Sequence, residues 1–265
     1  MARALTVPEP NRALTLMYHE VLREEGPASA DPYKLGRAEF VRQMEAIGKA
    51  IGDAPVGRVD APETWRAPRP LLLTFDDGQA SAYDVVADLF EARGWRAHFF
   101  VVTDFIGRPG FLTAAQIREL DRRGHAIGSH TCSHPVPISL CGDEELRREW
   151  GESVRILADI TGRAVLAASV PGGYYSQRVA NAAVEAGIRF LFTSEPRVSV
   201  KQVGNCLVLG RYAIRQSTGA ARAAALAEGR IAPRWREAML WNARKVLKRA
   251  NARAYIRVRR MILGC

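Results

Sequence analysis

The stretch LLLTFDDG at residues 71–78 follows Pro70 and decides the fold. Its run of apolar and β-favouring residues predicts a buried strand, and two carboxylates followed by glycine predict an abrupt end to that strand. Strand ends of this kind carry the chemistry in α/β folds. Adjacent strand residues point to opposite faces, so Asp76 and Asp77 are expected to have different tasks, one holding a metal and the other moving a proton. The alternative is a solvated turn, because Asp-Gly is a common turn dipeptide.

A second stretch with candidate metal ligands is GSHTCSHP at residues 128–135, which follows a short apolar run. His130 and His134 lie at positions i and i+4, so both rings can aim a nitrogen at one point. Together with a neighbouring carboxylate they would form a three-ligand site with an open position, which is typical of catalytic zinc. The alternative is that each histidine only packs in the core or lies on the surface. Cys132, between them, is interpreted as a bystander.

These two stretches resemble the motifs of a known family. TFDDG at residues 74–78 and SHTCSH at residues 129–134, about fifty residues apart, look like the first two motifs of the polysaccharide deacetylases, the NodB-homology domain of carbohydrate esterase family 4. The resemblance covers roughly residues 14–214. It implies a chain that removes acetyl groups from sugars.

The same resemblance assigns roles to the four side chains of these motifs. It implies that Asp76 is the general base. It also implies that Asp77, His130 and His134 bind a divalent metal, usually zinc, with cobalt, nickel or manganese as alternatives.

A third histidine, His19, follows the apolar run at residues 14–18. In the ordinary arrangement of the family a Leu-x-His-Asp motif near the C-terminus supplies the general acid, and that motif is absent here. The segment MYHE at residues 17–20 resembles it moved to the front, as in the circularly permuted poly-N-acetylglucosamine deacetylases. The resemblance implies that His19 is the general acid. The alternative is a histidine packed under the first loop.

The third family motif, Arg-x-Pro-Tyr, is altered in this chain. The matching stretch is SVPGGYY at residues 169–175, so Ser169 replaces the arginine that would orient the base. Arg211 is a candidate substitute, or else a member of an ordinary ion pair. Glycine permits close backbone approach, so the Gly172 N–H is a candidate donor to an oxyanion. Tyr174 is expected either to stack on a sugar ring or to pack at the rim.

The composition fits one globular domain with an appendage: the chain has 265 residues, of which 48% are hydrophobic and 25% charged. Short apolar runs alternate with amphipathic stretches, which predicts a parallel sheet with helices. The fold class expected is α/β, a distorted (β/α)7 barrel. Strands are predicted at residues 14–18, 71–75, 97–102, 126–129, 165–170, 190–193 and 207–214. Helices are predicted at residues 38–51, 80–93, 114–123, 143–161, 177–186 and 219–228.

The net charge of +10 belongs to the C-terminal tail. Residues 230–265 contain eleven Lys and Arg and one acidic residue, so residues 1–229 are neutral overall. We therefore divide the chain into a catalytic domain, 1–229, and a tail, 230–265, of one or two basic amphipathic helices. The tail is expected to pack on the barrel, or to contact an anionic membrane or membrane-bound assembly machinery. Nucleic acid is not expected, because no recognition motif accompanies the charge.

The expected location is the cytoplasm, with peripheral contact to the inner membrane. The four cysteines show no paired spacing, which favours reduced thiols. The first residues lack the apolar core of a secretion signal, and no apolar run is long enough to span a bilayer.

These observations lead to one function and two alternatives. The chain is expected to hydrolyse the acetamido group of an N-acetylated sugar and release acetate, the sugar being an N-acetylhexosamine of a polysaccharide or lipid-linked glycan, in exopolysaccharide biosynthesis. One alternative is a metal-dependent amidase on a non-sugar amide. The other is a glycan-binding pseudoenzyme that has lost the base-orienting arginine.

Overall fold

A computed structural model describes residues 12–23, 30–66 and 70–250, with side chains as far as residue 243. The strands are β1 (Leu14–Tyr18), β2 (Glu20–Val21), β3 (Lys34–Leu35), β4 (Leu71–Phe75), β5 (His98–Val101), β6 (Ala126–Ser129), β7 (Ala167–Ser169), β8 (Phe190–Phe192), β9 (Lys201–Val203), β10 (Cys206–Leu209) and β11 (Tyr212–Ala213). The helices are α1 (Arg37–Ile51), α2 (Pro62–Arg66), α3 (Ala87–Glu91), α4 (Ala114–Arg122), α5 (Asp143–Thr161), α6 (Gln177–Glu185), α7 (Ala220–Ala227) and α8 (Ile231–Ala250).

Nine strands form one curled sheet in the order β11-β1-β4-β5-β6-β7-β8-β10-β9. Every pairing is parallel except that of β9 with β10. The expected α/β barrel-like fold is confirmed, since helices alternate with these parallel strands along the chain. The helix expected at residues 80–93 is divided into a π-helical turn (Ala82–Val86) and α3.

The single strand expected at residues 207–214 is wrong, because this stretch is broken at Gly210. Its first half, β10, pairs with β8, and its second half, β11, pairs with β1, so the segment links the two sides of the curled sheet. We call residues 206–213 the closing segment. A Cβ at Gly210 would lie 2.3 Å from the carbonyl oxygen of Glu195, so only glycine fits at the break. The N–H of Arg211 then donates to the same oxygen at 2.9 Å.

Alternate residues of each strand face the inside and the outside of the barrel. In β4, Leu71, Leu73 and Phe75 pack in the cluster beneath the helices, whereas Leu72 packs in the cluster inside the barrel. The period of two then places Asp76 on the inner side. This is why a run buried along its whole length ends in a carboxylate that faces the barrel interior.

The tail begins as one continuous helix, α8, that follows α7 closely. The basic helix expected from the sequence is therefore present as far as residue 250, and residues 251–265 lie outside the described part. The boundary at residue 229 stays a prediction. Within the described part no helix has the length and apolar character needed to cross a bilayer.

A buried histidine inside the barrel predicts loss of stability in acid. The Nε2 atom of His98 accepts from the Val59 N–H at 2.8 Å, and its Nδ1 donates to the Leu73 carbonyl at 3.2 Å, so protonation would remove the first bond. Burial lowers the pKa of His98 to about 4, and its neutral form stabilises the fold above the unfolded pKa of about 6.5. We expect the free energy of unfolding to fall between pH 6.5 and 4, with His98 contributing a loss of about 2 kcal/mol at pH 5.

Urea unfolding at pH 7 and pH 5 measures this loss. The His98→Gln variant cannot be protonated, so the difference between the two pH values should shrink by that amount. An unchanged difference in the variant would assign the acid sensitivity to other groups.

Candidate active site

The candidate active site lies where the parallel strands end. Asp76 and Asp77 follow β4, His130 follows β6, and Ser169 ends β7. Because the carboxyl ends of parallel strands meet at one edge, residues distant in sequence come together there.

Asp77, His130 and His134 form the predicted metal-ligand group. Their three potential ligand atoms lie within 4.8 Å of one another. The Oδ1 atom of Asp77 is 3.4 Å from Nε2 of His130 and 3.7 Å from Nε2 of His134. A tetrahedral zinc site with bonds of about 2.1 Å separates its ligand atoms by about 3.4 Å. The donor set and its spacing therefore fit a divalent cation.

Hydrogen bonding and burial prepare the two imidazoles for this task. Nδ1 of His130 donates to the Ser169 carbonyl oxygen at 2.8 Å, which turns Nε2 toward Asp77. Burial, together with the charge of His130, lowers the pKa of His134 to about 4. His134 is consequently neutral at pH 7, with a lone pair available to a cation.

The backbone at these ligands is strained. In the part of the chain that the structure describes, three non-glycine residues have positive φ: Asp77 at 73°, Thr131 at 68° and His134 at 58°. Such conformations are rare for side-chain-bearing residues and concentrate at functional sites. The strain needs support from the surrounding structure.

Glu149 supplies that support from α5. Its carboxylate accepts from the N–H groups of Cys132 and Ser133 at 2.9 Å and from the Ser133 hydroxyl at 2.8 Å. The side chain is almost fully buried. Our sequence analysis missed this residue, although a signal was present. Glu149 lies on the same helical stripe as the buried Leu146 and Trp150, where a charged residue is unusual.

Asp76 forms a buried two-pronged ion pair with Arg211. The guanidinium Nη1 lies 2.7 Å from Oδ1, and Nη2 lies 2.8 Å from Oδ2. Each Nη atom also makes a second hydrogen bond. Nη1 donates to Thr74 Oγ1 at 3.1 Å, and Nη2 donates to Ser169 Oγ at 2.7 Å. Its Nε donates to the Thr193 carbonyl at 3.1 Å. Arg211 is fully buried and is held in place by these contacts.

The charges around Asp76 favour its ionised form. Burial alone would raise its pKa, but Arg211, followed by His130, outweighs burial and holds the pKa below the ordinary value. Ser169 Oγ donates to Oδ2 at 3.1 Å. The serine at the altered third motif thus remains in contact with the carboxylate, while the guanidinium comes from the closing segment.

His19 lies beside the two aspartates. Its ring packs against Tyr33 with 4.5 Å between centroids, and its charge is among the causes that lower the pKa values of Asp76 and Asp77 after burial raises them. The Nδ1 atom is buried and has no hydrogen-bond partner among the described residues. An imidazole nitrogen without a partner at this position can exchange a proton with a substrate.

Gly172 and Tyr174 lie in and next to the turn after β7. Gly172 has a φ of 57° inside the 3₁₀ turn Pro171–Gly173, which favours glycine there. Tyr174 is half-buried against the apolar cluster of β7, β8 and α6. Tyr174 therefore packs at the rim of the barrel, one of its two expected roles. Its stacking on a sugar ring stays a prediction.

Comparisons with known proteins find similarity to polysaccharide deacetylases. The model of the polysaccharide deacetylase family matches residues 64–191. YxkH of Bacillus subtilis strain 168 is 22% identical over 200 residues, which are 74% of this chain and 69% of that protein. The peptidoglycan-N-acetylglucosamine deacetylase of Bacillus cereus is 29% identical over 135 residues, or 49% of this chain and 61% of that relative. The Streptococcus pyogenes deacetylase PplD, solved in complex with acetate, shares the fold with a TM-score of 0.68 and 19% identity, over 80% of this chain and 96% of PplD.

Proposed function

Because this chain belongs to the polysaccharide deacetylase family, we propose that it is a metal-dependent hydrolase that removes the acetyl group from an N-acetylated sugar. The observation that supports this most strongly is the pairing of two different aspartates at one strand end. Asp77 lies among the imidazoles of His130 and His134, whereas Asp76 is held ionised by Arg211. Metal-assisted hydrolysis of an amide uses both environments, a cation to polarise the carbonyl and a carboxylate to take a proton from water.

Asp77, His130 and His134 would hold the cation, with zinc favoured and cobalt, nickel or manganese as alternatives. A divalent cation bound there supplies Lewis acidity, which lowers the pKa of water and polarises an acetyl carbonyl. The contribution of the protein is the fixed geometry of the three ligands. The bonds from Glu149 to Cys132 and Ser133 hold the loop that carries the histidines.

The proton transfers are assigned to two side chains. Asp76 takes a proton from the attacking water, since it is ionised and Arg211 fixes the orientation of its carboxylate. His19 gives a proton to the leaving amine of the sugar. The Gly172 N–H donates to the oxyanion of the tetrahedral intermediate. Acetate and a free amino sugar are the products.

Arg211 takes the role of the arginine that the third motif lacks. Its guanidinium contacts both oxygens of Asp76, and Ser169 fills the remaining space with a hydroxyl bonded to both partners. A pseudoenzyme that had lost the orientation of its base would not keep this arrangement.

The substrate and the cellular setting are further parts of the proposal. The substrate class is an N-acetylhexosamine of a polysaccharide or of a lipid-linked glycan, as in exopolysaccharide biosynthesis. The charge of residues 230–265 favours contact with an anionic membrane or membrane-bound assembly machinery, and the location proposed is the cytoplasmic side of that membrane.

Acetate release from N-acetylglucosamine oligomers tests the function. Zinc-loaded protein should release acetate, a chelator should abolish the activity, and added zinc should restore it. His19→Ala should lower kcat by about 10²-fold or more, because the leaving amine loses its acid, while the zinc content stays unchanged.

Each contrary outcome has a different meaning. Activity that survives His19→Ala would remove the general-acid role and keep the metal site. Zinc binding with hydrolysis of non-sugar amides alone would establish the amidase. Zinc binding without turnover of any amide would establish the pseudoenzyme.

A further inference from the structure

Helix α8 presents an apolar face to solvent. Ile231 is 78% exposed, Trp235 65%, Met239 51% and Leu240 40%. The first three are four residues apart and so form one stripe along the helix, with Leu240 beside it. Outside this helix, among the residues that the structure describes, only Leu140 is a large hydrophobic residue exposed to a similar degree. We call the four residues the apolar face of α8.

The opposite side of α8 is fastened to the barrel, so the apolar face has a fixed direction. Glu237 is buried and forms ion pairs with Arg215 and Arg222. Arg234 donates to the hydroxyl of Tyr212, a residue of β11 in the closing segment, at 3.2 Å. The face therefore points away from the barrel in the folded protein.

The charge of the segment that carries this face suits an anionic partner. All of the net positive charge of the chain falls in residues 230–265, which include α8. A helix that combines exposed Trp and Leu with many Lys and Arg binds at the interface of a bilayer that contains anionic lipids. A neutral surface or a basic partner would not use this charge.

Helix α8 also lies at the edge of the candidate active site. A Cβ added to Gly173 would lie 3.0 Å from Cη2 of Trp241 and 3.0 Å from Cβ of Ser194. Gly173 ends the turn that carries Gly172, and Ser194 follows β8. Whatever covers α8 is thus a neighbour of the strand ends where the site lies.

We propose that the apolar face of α8 inserts into the headgroup region of an anionic bilayer and places the active site beside the lipid surface. The substrate class is then an acetamido sugar carried on a membrane lipid, a part of the inference that rests on the proposed function. Binding by α8 brings the enzyme to a sugar that is confined to the same surface, which raises the effective concentration of the sugar.

Sedimentation of the full-length protein with lipid vesicles tests the binding. Wild-type protein should pellet with vesicles that contain phosphatidylglycerol and much less with phosphatidylcholine alone. The double variant Trp235→Glu/Met239→Glu should bind the anionic vesicles at least about tenfold more weakly. The control is Leu140→Glu, which adds a carboxylate at an exposed leucine outside α8 and should bind as wild type does.

Acetate release from two substrates tests the consequence for catalysis. The double variant should hydrolyse free N-acetylglucosamine oligomers at the wild-type rate. It should hydrolyse N-acetylglucosamine attached to a lipid in the anionic vesicles about tenfold more slowly.

The outcomes separate this inference from the proposed function. Vesicle binding that depends on Trp235 and Met239, without hydrolysis of any acetamido sugar, would keep the docking face and remove the function. Hydrolysis with no vesicle binding, or with binding equal in the double variant, would overturn the docking face. Equal loss of rate on both substrates would overturn the lipid-borne substrate. A shift from dimer to monomer in the variant, with no vesicle binding by wild type, would assign the face to a second copy of this chain.

Discussion

In an Asp76→Asn variant, kcat for acetate release is expected to fall by a factor of about 10² to 10⁴, the range typical of removing a general base. Asparagine has nearly the same shape but cannot take a proton from water at neutral pH. The cation site should survive, because Asp77, His130 and His134 are unchanged. The measurement is kcat at saturating substrate, together with zinc bound per chain.

A matched control separates loss of the base from loss of a buried ion pair. Asp121 is also buried, and it forms an ion pair with Arg163 at 2.8 Å. This pair lies at the opposite end of the barrel from the site. Asp121→Asn removes this ion pair away from the site and should leave kcat unchanged. A kcat for Asp76→Asn within tenfold of wild type would show that another group is the base.

Replacing Arg211 should change both the stability and the pH profile. Arg211→Ala leaves the Asp76 carboxylate buried without its cation, a change that costs about 3–5 kcal/mol of unfolding free energy in such pairs. Burial then dominates and raises the pKa of Asp76. A smaller fraction of Asp76 is ionised at a given pH, so the acid limb of kcat/KM should move to higher pH. A variant that only loosened the fold would not move that limb.

Two further variants distinguish charge from geometry. Arg211→Lys keeps the positive charge but not the two-pronged contact, so it should restore stability in part and leave kcat low. The exchange Ser169→Arg/Arg211→Ser places an arginine where the third family motif has one, and it should recover activity lost in Arg211→Ser alone. An acid limb that stays in place in Arg211→Ala would contradict a role for Arg211 in tuning the base.

The candidate metal ligands were accessible to sequence analysis because their signals are local. Asp77 is adjacent to a buried strand, and His130 and His134 are separated by one short loop. Once the strands are parallel, their common edge brings these ligands together without further information. The fold class followed in the same way from alternating strands and helices.

The support for the site was less accessible because it depends on distant contacts. Arg211 was one candidate among the many arginines of the chain, and its choice depends on the break at Gly210, which a continuous apolar pattern does not reveal. Glu149 is recognisable in the sequence as a charge on a buried helical stripe, but its contact with the histidine loop depends on how its helix packs. Ser169 was interpreted as the loss of an arginine, whereas the structure shows a hydroxyl that contacts both members of the new ion pair.

The closing segment also determines when Asp76 gains its ion-pair partner during synthesis. A nascent chain carries Asp76 and the three candidate ligands long before the ribosome adds residue 211. Until then the inner carboxylate has no guanidinium, and the sheet has no link between β8 and β1. β10 and β11 are the last strands of the described chain. Any product that ended before residue 206 would therefore carry the candidate metal ligands and Asp76, but not the guanidinium that pairs with Asp76.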